Sequence, residues 1–171
     1  MEEYWDIYDK FKTKTGEIIK RDGDRWLQSG EYHLVITGII QNLKNEILIS
    51  KRKEDKKLYP NLWECTGGSA KTGESSIQAT LREIHEEIGV VLKESEGKFL
   101  GTIQHDNYFR DVWNFIRDIQ DNEIKFNDGE VTETKWVTLD KYEELFANGE
   151  IVPSGHYVID MLRKKDLEVE R

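Results

Sequence analysis

At 171 residues the chain has the length of one domain, a size at which about two-thirds of the unfolded surface is buried. Hydrophobic residues make up 37%, aromatics 11%, and there are five Trp, which excludes an intrinsically disordered chain. Against 25 Lys and Arg stand 34 Asp and Glu, a net charge of −9. That balance disfavours nucleic-acid polymers and anionic membranes as partners. An acidic chain still binds an anion where its carboxylates hold a divalent cation.

A single cysteine, Cys65, excludes an internal disulfide and any multi-cysteine metal site. The first residues, MEEYWDIYDK, lack the apolar core of a signal peptide. The longest apolar stretch, Leu34 to Ile40, is far short of the roughly 20 residues of a membrane helix. A cytoplasmic location is the expectation.

In chain order, residues 1–30 read as a β-rich extension with turns at Lys14-Thr15-Gly16 and Arg21-Asp22-Gly23. His33 to Gln41 is rich in β-branched residues and predicts a buried strand, with Glu46 to Lys51 as its hairpin partner. Lys51 to Lys57 is a basic island, followed by an irregular stretch through Pro60 and Trp63. Ser75 to Ile88 predicts a helix: Ser75 and Gln78 have the spacing of a capping box, and Gly89 stands where a left-handed terminator is wanted. Strands are expected at Lys98 to Gln104, Asp111 to Ile119 and Thr134 to Leu139, and helices at Asp140 to Asn148 and Ser154 to Lys165. Many strands with few, non-alternating helices predict an α+β layered sandwich in a single domain spanning 1–171.

The helix from Ser75 carries the chemistry. At 100° per residue, Ile77, Leu81, Ile84 and Ile88 form an apolar stripe, and Glu83, Glu86 and Glu87 are expected on the opposite side. Carboxylates at these spacings repel one another. They form either a solvated acidic face or a site for a hard divalent cation such as Mg²⁺, which takes oxygen ligands.

The surrounding pattern is Gly68-x5-Glu74-x7-Arg82-Glu83-Ile84-x-Glu86-Glu87-x-Gly89-Val90. It resembles the Nudix box at all nine specified positions, an agreement expected by chance on the order of 10⁻⁶ from residue frequencies. The segment Glu130-Val131-Thr132-Glu133 ahead of Trp136 also resembles this family. The resemblance, over about Glu31 to Leu145, implies an α/β/α sandwich with a mixed sheet. It implies a Mg²⁺- or Mn²⁺-dependent hydrolase acting on a small-molecule diphosphate, such as a nucleoside diphosphate-linked compound. Glu83, Glu86, Glu87 and the Gly67 carbonyl would be metal ligands. Arg82 would orient the carboxylates, Glu74 would pair with Arg82, and Gly68 and Gly89 would serve the backbone. Glu86, Glu87 and Glu130 are the candidates for the general base, with Glu133 a weaker one.

The basic island is either a charged strand edge that discourages aggregation or a diphosphate-binding element using Arg52 and Lys56. Its spacing resembles the isopentenyl-diphosphate isomerases of the same superfamily, and Tyr32-His33-Leu34 resembles their strand entry, where the His binds metal. Those enzymes carry a catalytic Cys shortly before the box. Gly67 stands at that position here, and Cys65 lies two residues earlier. A noncatalytic nucleotide-sensing domain is a further alternative, but such domains lose box carboxylates and all are present. Tyr108, Phe109 and Trp113 are either core aromatics or stacking partners for a base.

Overall fold

The computed structural model describes residues 2–23, 25–127 and 129–169, with side chains to 164. Two short strands, β1 (Tyr4–Tyr8) and β2 (Lys14–Lys20), form an antiparallel hairpin. The main sheet begins with β3 (His33–Gln41) and β4 (Ile47–Arg52), joined as the expected hairpin. It continues with β5 (Trp63–Glu64) and β6 (Thr66–Ser69). After helix α1 (Ser76–Ile88) come β7 (Gly97–Gln104), β8 (Tyr108–Ile116), β9 (Val131–Val137), α2 (Leu139–Ala147) and α3 (His156–Val169).

The sheet is mixed. Its path runs β5-β4-β3-β8-β7, with β6 paired to β3 and β9 to β4. The β3–β8 pair is parallel, and the remaining pairs are antiparallel. The period of two along β3 divides the molecule into layers. Leu34 and Ile36 pack with Ala79 of α1, and Ile40 packs with Ile84 and Ile88. Ile39 instead joins Val112, Tyr142, Leu145, Val158 and Leu162 on the α2/α3 side. The architecture is therefore helix, sheet, helices, the expected α+β sandwich.

Helix α1 approaches the sheet so closely that a Cβ on Gly38 would lie 2.9 Å from both Ile84 Cδ1 and Thr80 Cγ2. Its start has the expected reciprocal cap: the Gln78 N–H donates to Ser75 Oγ at 3.3 Å, and the Ser75 N–H donates to Gln78 Oε1 at 3.0 Å. Such a cap contributes about 1 kcal/mol. Gly89 ends the helix at φ 72°, a conformation a Cβ would penalise.

The N-terminal hairpin is tied to the loop between β6 and α1. The Thr72 N–H donates to the Tyr4 carbonyl at 2.7 Å, and the Gly73 N–H donates to Asp6 Oδ2 at 3.0 Å. Among the described residues no helix is long and apolar enough to cross a membrane.

Candidate active site

The centre of the box is Arg82. Its Nε and Nη2 donate to Glu74 Oε1 and Oε2 at 2.6 and 3.0 Å, a bidentate fork. Nη1 reaches Glu83 Oε1 at 2.8 Å and Glu86 Oε2 at 2.9 Å, and Nη2 reaches the Ser69 carbonyl at 3.1 Å. One guanidinium thus gathers three carboxylates and a carbonyl of β6. Only Arg offers donors in a planar fork of this reach. Burial works to raise Glu74, but hydrogen bonds from Arg82 and the Lys71 N–H outweigh it and hold the carboxyl below its ordinary range.

Glu83 lies against the backbone of Gly68. A Cβ there would stand 2.3 Å from the Glu83 carboxyl carbon, so the glycine makes room for the carboxylate. Burial pushes Glu83 upward, with Arg82 acting against that and Glu86 adding to it. Glu86 is 41% exposed, with Lys71 Nζ at 3.5 Å.

Glu87 departs from expectation. It is 4% exposed, not on a solvated face opposite the apolar stripe. Three residues of helix turn it only about 60° from Ile84, which places it on the flank of the stripe where α1 meets the sheet.

The donors suit a hard divalent cation: three carboxylates on one stretch of helix, one of them seated in a cradle that a side chain at Gly68 would fill. Among the described residues no three His, Cys, Asp or Glu side chains are gathered closely enough to hold a metal ion as they stand. Arg82 holds two of the proposed ligands instead.

A cavity of about 240 Å³ opens on the α2/α3 side of the sheet. Gly67, Gly68 and Ser69 form its edge toward the box, whereas Glu83, Glu86 and Glu87 do not line it. Strand β6 is thus the partition where cavity and carboxylates meet. Arg52 lines the cavity beside Glu64, to which its Nη1 donates at 2.5 Å, while Nε and Nη2 donate to the Leu58 carbonyl at 3.1 and 3.0 Å. Burial raises Glu64, and Arg52 opposes that shift. Tyr59, at φ 52° before Pro60, and Leu58 form part of the wall while remaining exposed. The proline disfavours a right-handed helical conformation at the preceding residue.

Lys56 is not part of the lining; it pairs with Glu130. Lys53 pairs with Asp55 at 3.0 Å, and Lys51 approaches Glu133 at 3.9 Å. The basic island is therefore paired with carboxylates, Asp55 from within it and Glu64, Glu130 and Glu133 from other segments.

The other candidate residues lie in different surroundings. His33 is buried and stacks on Trp5 at 4.2 Å, with its pKa lowered to about 4 by burial, then by Arg21 and Arg110. It joins no metal-binding group among the described residues. Phe109 is core, and Trp113 donates from Nε1 to Ser76 Oγ at 3.1 Å. None of Tyr108, Phe109 and Trp113 lines the cavity. Cys65 does line it, but burial pushes its thiol up to about 12.

Sequence reading missed Thr37, Glu64, Arg110, Tyr142 and Tyr157 in this wall. The alternation of β8 was an available signal, since Arg110 and Val112 share one face of that strand. The contributions of α2 and α3 required the tertiary fold.

Comparison with known proteins bears on the family and the fold. The family model described as NUDIX domain matches residues 31–155. An uncharacterized Nudix hydrolase of Listeria monocytogenes is 36% identical over 152 residues, covering 88% of this chain and 89% of that protein. The isopentenyl-diphosphate Delta-isomerase 1 of Photorhabdus laumondii is 32% identical over 107 residues, 62% of this chain and 59% of that one. The crystal structure of DR0079 from Deinococcus radiodurans superimposes with a TM-score of 0.73 at 22% identity, covering 95% of this chain and 98% of that chain.

Proposed function

Because the chain belongs to the Nudix hydrolase superfamily, we propose that it is a Mg²⁺- or Mn²⁺-dependent pyrophosphohydrolase. Its substrate is a small molecule containing a diphosphate linkage, either nucleoside diphosphate-linked or a related compound, and water attacks at phosphorus. The observation that carries this reading is the single guanidinium of Arg82 holding Glu74, Glu83 and Glu86, with Glu83 seated on Gly68 at the edge of a cavity.

Glu83, Glu86, Glu87 and the Gly67 carbonyl would hold the metal. The ion supplies neutralisation of phosphate oxygens and acidification of a bound water. Glu74 fixes Arg82, and Arg82 fixes Glu83 and Glu86, so the carboxylates are oriented before substrate arrives. Glu86 is the most exposed of the three box carboxylates and is the favoured proton acceptor, with Glu87 and Glu130 as alternatives. Arg52 faces the substrate from the cavity wall. Lys56 reaches a diphosphate only by releasing its ion pair with Glu130.

Turnover of nucleoside triphosphates, nucleotide sugars, ADP-ribose and non-nucleotide diphosphates in ¹⁸O-labelled water tests the reading. Hydrolysis places label in a phosphate or phosphomonoester product, chelator abolishes it, and Mg²⁺ or Mn²⁺ restores it. Full activity in excess chelator ends the metal assignment. Conversion of isopentenyl diphosphate to its isomer without phosphate release, lost in Cys65→Ser, replaces hydrolysis with isomerisation.

A further inference from the structure

We propose that Arg110 is a substrate-binding residue whose guanidinium, in the wall of the cavity, holds a phosphoryl oxygen of the diphosphate substrate. The identity of the anion rests on the function proposed above; the anion contact itself rests on the geometry of the cavity. Two guanidiniums, Arg52 and Arg110, line this space against one carboxylate, Glu64. The cavity wall is therefore cationic in a chain of net charge −9.

The two arginines differ in what they have left to give. Arg52 spends donors on Glu64 and on the Leu58 carbonyl. Arg110 donates from Nη1 to the neutral hydroxyl of Thr37 at 2.8 Å. Its Nε is buried and has no hydrogen-bond partner among the described residues; the guanidinium lies over the Tyr108 ring at 5.6 Å, and among the described residues it forms no ion pair with a carboxylate. A buried cationic donor without an acceptor is costly, and the guanidinium has no carboxylate partner to offset that cost; a phosphoryl group in the cavity that Arg110 lines would supply the missing anion.

The position suits the role. Arg110 is paired with Val35 across the β3–β8 register, two residues from Thr37 along β3, so its backbone sits on the central strands of the sheet. Thr37 orients one arm of the fork. Gly67, Gly68 and Ser69 line the same cavity, so an anion held here adjoins the box. A guanidinium matches the paired oxygens of a phosphoryl group better than a point charge does.

Calorimetric titration with inorganic pyrophosphate, in excess chelator so that no metal bridges it to the box, tests the proposal. Wild-type protein should bind, Arg110→Gln should weaken binding by about tenfold or more, and Arg110→Lys should retain part of it. Glu64→Gln, which removes the carboxylate of the lining, should tighten binding several-fold and guards against a misfolded Arg110→Gln. Thermal unfolding of each variant is recorded alongside. Unchanged affinity in a folded Arg110→Gln overturns the proposal. So does absence of wild-type binding at about millimolar pyrophosphate, or equal affinity for succinate. Pyrophosphate binding that depends on Arg110, in a protein that hydrolyses no diphosphate, would sink the hydrolase reading and leave the anion contact standing.

Discussion

Replacing Gly68 by alanine perturbs the proposed metal site with one methyl group. The new Cβ would stand 2.3 Å from Glu83 Cδ and Oε1, and 2.7 Å from Oε2. Ordinary contact is about 3.5 Å, so the carboxylate must retreat by about 1 Å. That movement strains its 2.8 Å bond to Arg82. Overpacking of this size costs about 1–3 kcal/mol, here toward the lower end because a glutamate side chain can swing. Displacing a reacting or ligating group by about 1 Å costs on the order of 10²-fold in rate. Gly68→Ala should therefore lose activity, and apparent affinity for Mg²⁺, far beyond its loss of stability. Gly38→Ala is the control: its Cβ would meet Ile84 and Thr80 at 2.9 Å, destabilising the helix–sheet contact without touching a carboxylate. Metal-titrated turnover and thermal unfolding of both variants separate the effects. A Gly68→Ala protein with kcat and Mg²⁺ dependence within about twofold of wild type would refute the placement of Glu83.

Glu87→Gln should lower kcat on the order of 10²–10⁴-fold. Because Glu87 is 4% exposed, its melting temperature should move as well, and a near wild-type kcat removes the catalytic assignment. His33 predicts a stability change in acid. Its pKa falls from 6.5 to about 4 on folding, chiefly through burial, so the unfolded chain takes up the proton first. The stabilisation is complete above the ordinary 6.5 and is lost as pH falls toward about 4, amounting to about 3 kcal/mol at 1.36 kcal/mol per unit. Denaturant unfolding across that range should show the slope, and His33→Phe, which keeps a ring against Trp5, should flatten it; an undiminished slope assigns the effect to other groups.

The box helix was legible because its information is local. The cap at Ser75, the terminator at Gly89 and the stripe of Ile84 and Ile88 all follow from spacings within one turn or two. The burial of Glu87 was not legible from the stripe alone, since the width of a buried arc depends on what packs beside it. Here α1 is enclosed closely enough that Gly38 leaves no room for a methyl group. The pairing of the basic island was not legible for a related reason. Its charge is a property of seven consecutive residues, but Glu64, Glu130 and Glu133 reach it from distant positions. Arg110 follows two aromatics, Tyr108 and Phe109, whose size drew attention, although strand alternation separates it from Phe109.

The N-terminal hairpin lies outside the segment matched by the family model, yet it bears on the box. Three carboxylates on one stretch of helix repel one another, and Arg82 offsets that repulsion only while Glu74 holds the guanidinium in plane. Glu74 in turn accepts from the Lys71 N–H at 2.8 Å. Lys71 stands between Glu3 and Glu86, 3.5 Å from each. Tyr4 and Asp6 take up the N–H groups of Thr72 and Gly73 in the same loop. The loop that sets Glu74 is therefore fixed on one side by β1 and on the other by Arg82. Its backbone bonds to the hairpin restrain the loop before a metal arrives. Without them, ordering the loop would be charged against metal binding, because the entropy of fixing a flexible segment must be met when its ligands are brought together.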